Sequence, residues 1–260
     1  MAMSKLFHGG WLVLLATLAT WPALAQRPAP TAKSKSTLPP LPPRRVPNFP
    51  ELPPNPTRAE TNENERRRWN FFLTDSIWRR KRFNYHPNAL LVAAVQGRKP
   101  GTALDVGMGE GRNALYLAQH GWRVTGVDVA ERALNYAQAR ANKLGVRLTT
   151  VAQDADAYDW GTARWDLIVL SYAGGRDYAE RVKKALRPGG LLVLEAFHTD
   201  AAQASLGAIG PDVLFGPDEL KQLYAGVGLQ IIRYEEPLGV ADFGKETVRL
   251  VKLVAQQPPR

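Results

Sequence analysis

Between Thr102 and Gly121 the chain reads TALDVGMGEGRNALYLAQHG, and no other stretch constrains the fold so strongly. Ala103 to Val106 is an apolar run of the length of one buried strand. Gly107, Gly109 and Gly111 follow at every second position. From Asn113 to His120 the apolar residues Ala114, Leu115, Leu117 and Ala118 recur at helical spacing. Strand, glycine turn and helix in this order open a ligand site at the carboxyl end of the first strand of an α/β sheet. Glycine lets the backbone of such a turn take positive φ and approach a ligand that a Cβ would hold off.

The spacing narrows the ligand. A dinucleotide fingerprint is G-x-G-x-x-G, whereas this turn is G-x-G-x-G with Arg112 where the last glycine would stand. No Lys-Ser or Lys-Thr follows, which excludes a P-loop. Asp105 sits inside the strand end, where a carboxylate repels pyrophosphate and suits a cation. A second acid, Asp128, ends the next strand, Arg123-Val-Thr-Gly-Val-Asp128, where it can accept both hydroxyls of a ribose. One ribose, a positive centre and no phosphate describe S-adenosylmethionine.

Leu104-Asp-Val-Gly-Met-Gly-Glu-Gly111 and Val124-Thr-Gly-Val-Asp128 resemble motifs I and II of the class I S-adenosylmethionine-dependent methyltransferases. Gly111-Arg-Asn-Ala-Leu-Tyr-Leu-Ala118, followed by Gly121-Trp-Arg-Val-Thr-Gly-Val-Asp128, is similar to the branch holding tellurite-resistance-type and other small-molecule methyltransferases. The resemblance runs from about Tyr85 to Val254. It implies a Rossmann-like, doubly wound α/β sheet of seven strands, mostly parallel with a C-terminal antiparallel strand. It also implies S-adenosylmethionine as cofactor, held by Asp105, Gly107, Met108, Gly109, Gly111, Asp128, Val129, Asp154, Ala155 and Ser171. Asp154, after the strand Leu148–Ala152, resembles the family's acid that accepts from the adenine amino group; its plainer reading is a surface acid beside Asp156 and Asp159.

Charge and cysteine usage exclude other chemistries. The net charge is +10, but residues 1–98 hold 15 Lys and Arg against 5 Asp and Glu, while residues 99–260 hold 19 of each. The presumed catalytic domain is therefore neutral, which argues against a nucleic-acid channel around its site. With no cysteine there is no disulfide, no thiolate zinc site and no thiolate nucleophile. No metal site is expected.

Four segments follow from composition. Residues 1–25 read as a signal peptide, with Lys5, an apolar run from Trp11 to Ala19, and Ala23-Leu-Ala25 as a cleavage site. They imply export to the periplasm or the medium; the alternatives are an uncleaved N-terminal anchor and a cytoplasmic protein. Residues 26–60 hold eleven of the twenty prolines and read as an extended disordered linker. Residues 61–98 form a basic, aromatic helical segment in which Trp69, Phe71, Phe72, Ile77 and Trp78 give an apolar face. The favoured reading of residues 61–82 is a solvated basic face on a helix packed over the catalytic domain; the sharper one is weak contact with an anionic membrane. Residues 99–260 are the S-adenosylmethionine-binding methyltransferase domain.

Within that domain strands and helices alternate, as in a parallel sheet. A helix over residues 89–96 carries Pro87 in its first turn, and the resemblance places Tyr85 and His86 near the substrate. Ser171 and Tyr172 follow the fourth strand, Asp166–Leu170, where Ser171 could meet the donor and Tyr172 line the acceptor pocket. Ser171-Tyr-Ala-Gly stands where enzymes methylating base amines carry Asn/Asp-Pro-Pro-Tyr/Phe, which speaks against that substrate class. Arg187-Pro-Gly-Gly190 turns into the strand Leu191–Phe197, which His198 closes. A further helix begins around Phe215-Gly-Pro-Asp-Glu-Leu220 with Pro217 in its first turn, and the strands 229–235 and 246–255 close the sheet as an antiparallel pair.

The activity these features imply is direct displacement, in which a nucleophilic atom of a small-molecule acceptor takes the sulfonium methyl group. That chemistry requires neither a metal nor a covalent intermediate. Tyr172, His198 and His86 are the candidates for a proton-accepting residue. The alternatives are a catalytically inactive binding or scaffold protein of the same fold and, disfavoured by Arg112 and Asp105, an NAD-dependent dehydrogenase. A monomer or a dimer is expected.

Overall fold

The computed structural model describes residues 53–55, 57–74, 83–203, 213–244 and 246–259. The expected signal peptide, the proline-rich stretch up to Leu52, the run from Ile77 to Arg82, and residues 204–212 of the region before Phe215 lie outside them. Among the described residues no helix is long and apolar enough to cross a membrane.

Seven strands make the main sheet: β1 (Thr102–Val106), β2 (Arg123–Asp128), β3 (Leu148–Ala152), β4 (Trp165–Ser171), β5 (Leu186–His198), β7 (Gln230–Glu235) and β9 (Thr247–Gln256). They lie in the order β3-β2-β1-β4-β5-β9-β7. β9 runs antiparallel to both β5 and β7, while the β3-to-β5 ladders are parallel. Two short strands not foreseen in the sequence, β6 (Leu214–Phe215) and β8 (Leu238–Val240), pair with β5 and β9. Strand order reverses between β1 and β4, and the crevice at their carboxyl ends is where a doubly wound sheet binds its ligand.

Strand alternation gives the sheet two cores. Leu104, Ile168 and Leu192 are register partners in a row across β1, β4 and β5, all fully buried on one face. Each contributes about 1.5–3 kcal/mol by leaving water. That face is covered by α5 (Ala179–Ala185) and α6 (Glu219–Gly226). On the other face Ala103, Leu167 and Leu191 pack under α2 (Ala89–Val95), α3 (Arg112–Gln119) and α4 (Glu131–Leu144). Asp105 belongs to this second row, in register with Val169.

Helix α1 (Arg58–Thr74) begins inside the stretch expected to be an extended linker. Thr57-Arg-Ala-Glu60 is a capping box: the Glu60 N–H donates to Thr57 Oγ1 (3.3 Å) and the Thr57 N–H to Glu60 Oε2 (2.8 Å). That local signal outweighs the proline-rich composition before it. The arginines of α1 are paired along the helix and onto α4: Arg66 with Glu63 (2.7 Å) and Glu131 (3.1 Å), Arg67 with Glu63, and Arg68 with Glu65 (3.3 Å).

The helix starts differ from expectation at two prolines. Asn88 caps α2, its Oδ1 accepting from the Leu91 N–H at 3.1 Å, so Pro87 precedes the helix rather than occupying its first turn. Pro217 likewise precedes Asp218, the cap of α6. In β5, Leu186 already pairs with Trp165, and Arg187-Pro-Gly-Gly190 bulges out before Leu191 resumes the ladder with Leu167.

Candidate functional site

One cavity of about 470 Å³ opens over the carboxyl ends of β1 and β4. Its floor is the glycine turn. Gly107, Gly109 and Gly111 all take positive φ (64°, 53° and 75°), and the Gly107 and Met108 N–H groups both donate to the Val127 carbonyl, at 2.8 and 3.2 Å. A Cβ on Gly107 would lie 2.5 Å from the Ala173 Cβ, so only glycine lets the β1 and β4 loops close against each other there.

Asp128 lines the cavity at the end of β2. Its Oδ2 accepts the Gly109 N–H and its Oδ1 the Ala130 N–H, both at 2.8 Å, which fixes the carboxylate against the glycine turn. Burial pushes its pKa up, opposed by the Ala130, Gly109 and Val129 N–H groups. Asp154 lines the same cavity beyond β3, taking Asn62 Nδ2 of α1 at 2.7 Å and the Asp156 N–H at 3.0 Å. Val129, Ala155, Met108 and Ser171 also face it.

Asp105 does not. It is 1 % exposed and absent from the lining, because β1 alternation turns it toward α3, where it accepts the Ala114 N–H. Its Oδ2 has no hydrogen-bond partner. Burial raises its pKa to about 7, with Arg112 and the Ala114 N–H opposing and Asp128 adding to the rise.

The three candidates for a proton acceptor separate. His86 is exposed and outside the cavity. His198 is buried but also outside: Phe197 faces the cavity, so the next residue of β5 points to the opposite side. There its Nδ1 accepts the Asp200 N–H at 3.2 Å. Tyr172 does line the cavity, at φ 58°, with its ring 4.7 Å from that of Phe197. Its hydroxyl donates to Glu195 Oε1 at 2.5 Å. Burial, Glu195 and Asp242 push its pKa well above that of a free phenol. No phenolate base is available there at neutral pH.

Asn62, Leu73, Asn84 and Asp242 line the cavity although nothing in the sequence assigned them a role there, and Arg112, named in the sequence only against a dinucleotide, lines it too. Arg112, the first residue of α3, reaches Asp242 Oδ2 at 2.7 Å with one nitrogen and Ser171 Oγ at 3.0 Å with another. Asp242 stands on the turn between β8 and β9 and also accepts from Asn84 Nδ2 (2.7 Å) and Asn88 Nδ2 (2.8 Å). Tyr85, which the resemblance places near the substrate, lines the cavity beside Asn84, whereas its neighbour His86 does not. From α1 come Asn62, Trp69 and Leu73, and Leu73 would meet a Cβ on Gly109 at 3.6 Å, so this helix roofs the turn. Asn84 stands next to Tyr85 and Arg112 directly follows Gly111, whereas Asn62, Leu73 and Asp242 are joined to the turn only by the fold.

The lining is acidic. Glu65, Glu110, Asp128, Asp154, Asp156, Asp177 and Asp242 stand against Arg68, Arg112, Arg140 and Arg176. Such a cavity favours a cationic ligand and disfavours a pyrophosphate. Among the described residues no group of three or more His, Asp or Glu side chains is placed to hold a metal ion.

Residues 103–190 match the model of a methyltransferase domain family. The chain is 28 % identical over 125 residues to malonyl-[acyl-carrier protein] O-methyltransferase of Salmonella typhimurium, covering 46 % of this chain and 47 % of that one. It is 26 % identical over 156 residues to the probable S-adenosyl-L-methionine-dependent methyltransferase TehB of Haemophilus influenzae, covering 57 % and 53 %. The solved TehB structure superposes with a TM-score of 0.57 at 22 % identity, over 65 % of this chain and 62 % of that one. A structure solved in work on conversion of a disulfide bond into a thioacetal group during echinomycin biosynthesis superposes at 0.54 with 25 % identity, over 69 % and 87 %. The matches span about half the length of these two curated relatives.

Proposed function

We propose that the protein, whose residues 103–190 match a methyltransferase domain family, is a class I S-adenosylmethionine-dependent enzyme that methylates a small-molecule acceptor. The observation that carries this reading is that Asp128 and Asp154 line the same acidic cavity as the glycine turn. S-adenosylmethionine has a sulfonium, an ammonium, one ribose and no phosphate, and each of these suits that lining. Gly107 to Gly111 would take the amino-acid end, Asp128 the ribose hydroxyls and Asp154 the adenine amino group. Asp105 would act on the ammonium through the wall, by its field, rather than by contact.

When bound, S-adenosylmethionine supplies a methyl group already activated by the positive sulfur. The protein's contribution is then alignment and exclusion of water. Leu73 over Gly109 and the Asn62–Asp154 hydrogen bond hold α1 across the cavity as its roof. Arg112 and Asp242 hold the opposite wall. Neither histidine candidate faces the cavity and the Tyr172 hydroxyl is committed to Glu195, so the acceptor atom must be nucleophilic with little help from these three residues.

A small acceptor is supported by the cavity's size, about 470 Å³, which falls in the range of small-molecule sites. Malonyl-[acyl-carrier protein] is the acceptor named for one relative, and it is tested beside free small molecules. Titration calorimetry with S-adenosylhomocysteine is the deciding experiment. Saturable binding supports the donor reading, and no measurable heat with folded protein removes it. Binding without methyl transfer across an acceptor panel would favour an inactive, donor-binding protein of the same fold.

A further inference from the structure

The cavity beyond the glycine turn is built from aromatic rings. Trp69 of α1, Phe83 of the segment before α2, and Phe243 of the β8–β9 turn form one group. The Trp69 and Phe243 centroids lie 5.8 Å apart, and those of Phe83 and Phe243 lie 5.0 Å apart. The Tyr172–Phe197 pair forms another, 4.7 Å between centroids. All five rings line the same cavity. Three of them come from segments far apart in sequence, and the backbone itself locks two together: Phe83 and Phe243 form a β-bridge, and the Asn84 N–H donates to the Asp242 carbonyl at 2.8 Å.

The cations of the lining are already engaged. Arg68 is paired with Glu65 (3.3 Å), Arg112 with Asp242 (2.7 Å) and Arg176 with Glu219 (2.6 Å), while Arg140 lies over the Tyr136 ring. An inorganic oxyanion or a phosphorylated acceptor would have to break one of these three ion pairs, or draw Arg140 off the Tyr136 ring, to gain a counter-charge. Aromatic faces, by contrast, offer a ligand stacking and edge contacts at no such cost.

Resting on the methyltransferase reading, we propose that the acceptor is a planar aromatic or heteroaromatic small molecule. It lies against Trp69, Phe83 and Phe243 on one side and Tyr172, backed by the buried Phe197, on the other, and the nucleophilic oxygen, nitrogen or sulfur is a substituent of its ring or part of it. In the transfer the acceptor atom's lone pair forms the new bond to the methyl carbon, the sulfur–carbon bond breaks with its electrons returning to sulfur, and the acceptor's proton leaves to solvent.

The test uses the full chain saturated with S-adenosylhomocysteine for binding and with S-adenosylmethionine for turnover. The probes are 8-hydroxyquinoline, thiophenol and a dihydroxybenzoate, set against selenite, octanoate and malonyl-[acyl-carrier protein]. At least one aromatic probe is expected to bind saturably and to be methylated in preference to the other three. Phe243→Leu and Trp69→Leu are each expected to raise its KM roughly five- to tenfold, with affinity for S-adenosylhomocysteine unchanged within twofold. That unchanged affinity also shows that the variants are folded. Preferred turnover of selenite, octanoate or the acyl carrier protein, saturable binding of none of the aromatics, or an unchanged KM in both variants overturns the proposal. Failure of the wild-type chain to bind S-adenosylhomocysteine is a separate result, which removes the donor reading and this inference with it.

Discussion

Arg112 and Asp242, 130 residues apart in sequence, form an ion pair of 2.7 Å at the cavity wall, with side chains only 17 % and 12 % exposed. Arg112 opens α3 directly behind the glycine turn, and Asp242 sits beside Phe243 on the β8–β9 turn. One contact therefore ties the proposed donor floor to the proposed acceptor wall.

Removing one partner of a nearly buried pair strands the other charge. Asp242→Ala is expected to cost about 2–4 kcal/mol of stability, because it frees Arg112 and also strips an acceptor from Asn84 and Asn88. Combining Arg112→Met with Asp242→Ala is expected to cost less than the sum of the two single changes. Urea denaturation of the four proteins gives the coupling energy, and simple additivity would show that the pair does not act as a unit.

Asp128→Asn tests the donor site. The amide keeps one acceptor oxygen for a backbone N–H but loses the charge and half of the accepting capacity. Affinity for S-adenosylhomocysteine is expected to fall about 30-fold or more, on the order of 2 kcal/mol. Calorimetry reads this directly, and a dissociation constant within threefold of wild type would take Asp128 out of the site.

Asp105 makes stability depend on pH. Its pKa is raised by burial to about 7 in the folded protein, against an ordinary carboxylate value near 3.8. Between those two values the unfolded chain has released the proton while the folded chain still holds it, so folding takes up a proton. Stability is full below pH about 4 as far as this group is concerned, and it declines as pH rises toward and through 7, by on the order of a few kcal/mol in total. Asp105→Asn removes the titration. Its urea midpoint, measured relative to wild type from pH 5 to 8, is expected to rise steadily with pH; parallel curves would refute the assignment.

How much of this could be read from the sequence depended on whether the signal was local. The glycine turn, β2, β3 and α4 fall where alternating apolar and helical spacing puts them, because each is set by contacts within one element. The capping box at Thr57–Glu60 was just as local, but the prolines around it masked the helix start. His198 looked well placed as the last residue of a central strand, yet the facing of β5 residues depends on where β5 bulges, and the bulge at Arg187–Gly190 is set by its pairing with β4. Asp105 points away from the cavity for the same kind of reason, one residue from Val106, which faces it. Asp242, Asn62, Phe83 and Phe243 could not be read at all, since nothing near them in the chain marks the site they meet in space.

The glycine turn supplies the sharpest test of packing against backbone conformation. Gly107 and Gly145 have nearly the same left-handed backbone, with φ of 64° and 67°. An alanine at either position takes the left-handed penalty of about 1–2 kcal/mol. At Gly145, the C-cap of α4, nothing lies within 4 Å of the added Cβ, so Gly145→Ala is expected to cost no more than that. At Gly107 the new carbon would sit 2.5 Å from the Ala173 Cβ. The β1 and β4 loops must then part, adding about 1–3 kcal/mol and widening the floor of the cavity. Gly107→Ala is therefore expected to lower the urea midpoint well beyond Gly145→Ala, and to weaken S-adenosylhomocysteine binding while Gly145→Ala leaves it unchanged. Equal destabilisation, with equal affinity, would mean that the two loops are not in contact through Gly107.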